Sequence, residues 1–152
     1  MILSANPFDP WTALLARHAQ HVVLIHFPIA LYLAGVLLDL AGWWLGKEKL
    51  AEAAYVNIAL AAISALPAAI TGLLAWQWQL EGQKLKGTLL AHLLAGLTAT
   101  LLICITWMVY YRARRKNQAL PPIRFLLEGA GVLAVVLAGH LGGFLSGVNG
   151  PN

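Results

Sequence analysis

Charge is scarce in this chain. Lys, Arg, Asp and Glu together make up 11% of its 152 residues, where a soluble domain carries roughly 25%. That shortage, beside a hydrophobic content of 60%, excludes a water-soluble globule. Cysteine is rarer still. Cys104 is the one thiol, so an intrachain disulfide and a Cys-x-x-Cys motif are both excluded. No glycine-rich phosphate loop and no nucleophile–base pair is present, which leaves a kinase or hydrolase without residues to carry it. Alternation of polar and apolar residues is also missing, and with it the signature of a membrane β-barrel.

What the chain has in quantity is apolar run. Stretches near 20–44, 53–80, 88–111 and 124–147 are each long enough to cross about 30 Å of hydrocarbon as a helix. They are separated by "GKEK" (46–49), "EGQKLKG" (81–87) and "RARRKNQALPP" (112–122). Long helices with short connections predict an all-α fold, an integral membrane four-helix up-down bundle forming a single domain over 1–152. Lys47, Lys49, Arg112, Arg114, Arg115, Lys116 and Arg124 flank one side of the spans, against Arg17, Lys84 and Lys86 on the other. Positive residues are retained inside, so both termini are expected on the outer (periplasmic) side. The start "MILSANPFDP" lacks a basic leader, so no removable signal peptide is expected and the first span stays as an anchor. The net charge of +4 follows from this asymmetry and implies no nucleic-acid partner. In that frame "RARRK" is a topology signal with some attraction to anionic lipid.

Five histidines stand out against this background: His18, His21, His26, His92 and His140. With this topology His26, His92 and His140 come to lie at one depth, about 6–11 Å below the outer hydrocarbon edge at 1.5 Å per residue. His18 and His21 sit at or above that edge. An imidazole is costly in hydrocarbon unless it faces something polar, and three at one depth suit a ligand site. A b-type haem needs two imidazoles on facing helices at matching depth. The first and third helices of an up-down bundle are diagonal, so His26 with His92, or His140 in place of either, is the expected ligand pair. Gly96, Gly139, Gly142, Gly143 and Gly147 supply small residues nearby to admit the macrocycle. His21 lies about 140° around the helix from His26, so the two do not ligate one iron from the same face. His140 is open to replacing either partner, to bonding a propionate, or to serving a second haem with His21. Pro28 frees the carbonyl of Leu24, which is placed to fix an imidazole tautomer. Two alternatives stand beside haem. His26, His92 and His140 suit copper or zinc, or there is no cofactor and the histidines hydrogen-bond across helices in a non-redox structural subunit of a larger membrane complex. Asp39 and Glu128 are expected to pair with Arg124 or Lys47, and Asn57 and Ser64 to bond between helices.

"HVVLIHFPIALYLAGVLLDL" (21–40), "GLLAWQWQLEGQKLKGTLLAHL" (72–93) and "GHLGGFL" (139–145) resemble an uncharacterised bacterial family of four-helix membrane proteins, domain of unknown function 2231. The matching positions are His21, His26, Phe27, Pro28, His92, His140, Gly142 and Gly143. Val22 stands where members often have proline, and "SGVNGPN" (146–152) is shorter than usual. The layout resembles the cytochrome b561 group, which carries electrons across membranes between b haems. The resemblance implies an electron-transfer subunit of the bacterial inner membrane rather than a stand-alone enzyme. Its partners would be the lipid bilayer, a quinol or a periplasmic cytochrome, and other membrane subunits. No histidine falls in the inner half of any span, so one outer haem is expected rather than a trans-membrane pair.

Overall fold

The computed structural model describes residues 17–79, 81–82 and 84–146. Four helices account for almost all of them: α1 (Arg17–Leu45), α2 (Glu48–Gln79), α3 (Gly87–Arg115) and α4 (Arg124–Leu145). Among the described residues there is no strand. All four helices are long and apolar enough to cross a membrane. Three begin or end farther out than hydropathy placed them: α1 starts by Arg17, α2 at Glu48, and α3 runs on to Arg115. Charged residues end an apolar run without ending a helix, because the backbone bonds continue wherever the side chains can reach water.

Two of the turns are set by residues that accept a left-handed backbone. Gly46 has φ 63° and lets the Lys47 N–H reach back to the Gly42 carbonyl at 3.0 Å. Asn117, with φ 49°, lets the Gln118 N–H reach the Ala113 carbonyl at 2.9 Å. Both are Schellman closures of a helix C-terminus.

Helices adjacent in sequence pack side by side, α1 touches α4 sparsely, and α1 and α3 lie diagonally across the bundle. The α1–α2 seam is made of small residues. Ala54, Ile58, Ala61, Ala65 and Ala68 are buried on α2 in alternating steps of four and three, the 3.5-residue period of a left-handed helix pair. Facing them, Gly35 packs so close that an added methyl would stand 2.7 Å from Ile58 Cγ1. Lipid gives helices no hydrophobic reason to associate, so close approach along small residues supplies the packing energy instead. The central cluster is Tyr32, Ala61, Ala62, Ala99, Ile103 and Val135. Large apolar side chains such as Leu37, Trp44, Leu101, Leu126 and Leu133 point outward and are exposed, a surface that suits acyl chains and not water.

Candidate functional site

Polar side chains inside this bundle gather in two layers. The first lies toward the end that carries the α2–α3 connection, and it is built on His21 and His92. Their ring centroids stand 6.5 Å apart, with the planes nearly perpendicular at 79°. His21 Nδ1 lies 3.1 Å from the Ala68 carbonyl and 3.3 Å from Thr71 Oγ1. His92 Nδ1 lies 3.0 Å from the Ala138 carbonyl. A carbonyl oxygen only accepts, so each Nδ1 donates its N–H, and in the neutral imidazole each Nε2 is left with a lone pair. A glycine seats each ring. A methyl on Gly72 would come within 2.9 Å of His21 Cε1, and one on Gly142 within 3.1 Å of His92 Cε1.

The histidines expected to join His92 lie elsewhere. His26 is exposed on the outside of α1, its Nδ1 turned back 2.5 Å from the Val22 carbonyl of its own helix. The carbonyl it reaches is therefore not that of Leu24, the one Pro28 frees. His140 is exposed on α4, its ring edge-on to Phe144 at 5.0 Å. Since α1 is already helical at Arg17, His21 stands inside the bundle and takes the place assigned to His26. Gly96 faces open space, and Gly143 is half-buried. Gly147 and the His18 side chain lie outside the described part of the chain. Among the described residues, no three His, Cys, Asp or Glu side chains converge where a metal ion would need them, so His26, His92 and His140 do not form a three-ligand set.

The second layer lies toward the opposite end. Arg124 Nε donates to Asp39 Oδ2 at 2.8 Å, the side chains 9% and 2% exposed. Tyr110 donates to Glu128 Oε1 at 2.6 Å, and Tyr32 Oη lies 3.2 Å from Thr106 Oγ1. The Arg124 guanidinium also sits 4.0 Å over the Phe125 ring. Of the two expected acid pairings, Asp39 takes Arg124 while Glu128 takes a phenol, a partner that counting charges does not suggest. A cavity of about 300 Å³ opens beside this layer between Glu48, Glu52, Tyr55, Tyr110 and Arg114. Asn57 and Ser64 bond to carbonyls of their own helix, Ala53 at 2.9 Å and Leu60 at 2.8 Å, and among the described residues they tie no two helices together. Short polar side chains mid-helix find that local acceptor first.

Sequence reasoning missed the role of Ala68, Thr71, Gly72 and Ala138, because a backbone carbonyl leaves no mark in a list of side chains. One signal was legible. Ala68 and Gly72 repeat as Ala138 and Gly142, a small-xxx-small pair opposite each histidine.

Over residues 17–150 the chain matches the model of a family described as a predicted membrane protein, DUF2231. No curated protein matches it. No solved structure matches it either, so the likeness in layout to cytochrome b561 stays an expectation.

Proposed function

The chain belongs to that family of membrane proteins, DUF2231, and on that premise we propose that it is an electron-transfer subunit holding a b-type haem between His21 and His92. The observation that carries the proposal is the paired imidazoles. The His21 and His92 rings already stand 6.5 Å apart, centroid to centroid, so the two side chains that would hold the haem are paired across the bundle. Two imidazoles, His21 and His92, would suit a haem iron, which takes two protein ligands, better than zinc, which takes four in its structural sites. The helices flanking the pair present Ala68, Thr71, Gly72, Ala138 and Gly142 there, all small.

A haem iron with two imidazole ligands supplies one-electron exchange. The chain's own groups do the rest. The Ala68 and Ala138 carbonyls hold each Nδ1–H, fixing the tautomer and raising the basicity of Nε2, as outer groups do for metal-bound histidine. By the distribution of Lys and Arg the histidine layer faces the outer side of a bacterial inner membrane, where a quinol or a periplasmic cytochrome is the partner. A reading as a non-redox structural subunit rests on the same hydrogen bonds, which already satisfy one nitrogen of each ring.

An absorption spectrum of detergent-purified protein, before and after dithionite, separates the two. The sharp α-band of a reduced b haem is expected, and it disappears in His21→Ala and in His92→Ala. A featureless spectrum from protein isolated out of haem-replete cells sinks the electron-transfer reading.

A further inference from the structure

The two halves of the chain carry one pattern twice. A shift of 71 residues moves His21 onto His92, and it moves the buried Pro28, Tyr32, Gly35, Asp39 and Gly42 of α1 onto Ala99, Ile103, Thr106, Tyr110 and Ala113, buried on α3. The same shift takes Gly46 onto Asn117, the two left-handed residues that close α1 and α3. On the return helices a shift of 70 moves Ala54, Ile58, Ala61 and Ala65 onto Arg124, Glu128, Gly131 and Val135, all buried. It also carries Ala68 and Gly72 onto Ala138 and Gly142, the carbonyl and the glycine that hold the second imidazole.

We infer that the chain is one helical hairpin used twice, with an approximate two-fold axis along the membrane normal passing between His21 and His92, from which the closer packing of α2 on α3 than of α4 on α1 departs, and that Gly72 and Gly142 are matched positioning residues for the two imidazoles. Repeats related by such an axis are an established way to build membrane folds, with the site where the repeats meet. The side chains differ at most matched positions, so the repeat resides in burial, helix closure and imidazole seating. An occupant held on that axis meets the same donor atom from the same tautomer on both faces. The inference deepens the haem reading by making its two ligands equivalent, yet it stands on packing that needs no haem.

The test is ¹⁵N NMR of the histidine rings in the full-length protein, in detergent and without haem. Both His21 and His92 should carry hydrogen on Nδ1 and none on Nε2. Gly72→Ala should displace the His21 signals well beyond those of His92, which its ring touches, and Gly142→Ala should do the reverse to the same extent. Gly96→Ala, where the added methyl meets open space, should move neither. If an alanine variant fails to accumulate, unmodified protein with ¹³C-carbonyl alanine serves: each Nδ1–H must contact an alanine carbonyl. A ring protonated on Nε2, or a glycine substitution that disturbs both rings alike, overturns the two-fold assignment. A missing α-band would sink the haem reading while leaving these signals as described, so the two failures are distinguishable.

Discussion

The two ends of the bundle use polar groups in opposite ways. At the histidine end each imidazole bonds within its own hairpin, His21 to α2 and His92 to α4, and the hairpins meet ring against ring. At the charged end the main bond crosses from one hairpin to the other, Asp39 of α1 to Arg124 of α4. The first arrangement is symmetric and leaves a nitrogen on each side free of its carbonyl bond. The second is asymmetric and gives each buried charged side chain, Asp39, Arg124 and Glu128, a partner, because α4 carries Arg124 and Glu128 where α2 has Ala54 and Ile58. The comparison assigns cohesion to the charged end, and it leaves the histidine end able to accept something between its rings.

The sharpest way to break that comparison is to remove one charge. Asp39→Ala leaves the Arg124 guanidinium buried without its carboxylate, and breaking a buried pair costs about 3–5 kcal/mol. A large fall in thermal midpoint in detergent is expected, with most of it recovered in the double variant Asp39→Leu/Arg124→Leu, since a buried pair is often replaceable by apolar packing. His92→Ala should fall far less, because hydrogen bonds between membrane helices average about 0.6 kcal/mol. Equal losses from Asp39→Ala and His92→Ala would end the division of labour.

A smaller effect tests the region between the ends. Gly131 lies under Tyr32, and a methyl there would run into the tyrosine hydroxyl and ring. Its counterpart Ala61 already bears that methyl, because the residue standing where Tyr32 would be is Ile103. Gly131→Ala therefore overpacks one half alone and should cost about 1–3 kcal/mol, read as a lower thermal midpoint. Tyr32→Phe in the same background removes the hydroxyl and should restore part of it.

Much of this was written in the sequence, and the missing part has a physical cause. Four spans followed from hydropathy, and the Asp39–Arg124 pair from the few charges available. Which face of each helix turns inward was harder, because a helix apolar all round has no polar side to mark the exterior. His21 and His26 lie on different faces of α1, so both cannot point into the bundle, and depth favoured the wrong one of the two for facing inward. A seven-residue step would have chosen correctly. His21, Pro28, Gly35 and Gly42 fall on one such step, as do His92, Ala99, Thr106 and Ala113. The histidines that meet are those in line with the small residues of the seam.

That face argument gives the last and smallest expected effect. His26 lies on the outer surface of α1, and its one described hydrogen bond returns to Val22 in the same helix. Replacing it by leucine exchanges a polar ring for a side chain that acyl chains solvate, and it opens no cavity. His26→Leu should shift stability by no more than about 0.5 kcal/mol, as exposed positions away from special contacts do, and should keep the reduced α-band. His21→Leu, five residues earlier on the same helix, should lose that band entirely. Opposite results would move the ligand to the deeper histidine and demand that α1 turn by about 140°. Such a turn would carry Gly35 out of its contact with Ile58 and Gly42 away from Ala51, so the α1–α2 seam itself weighs against it.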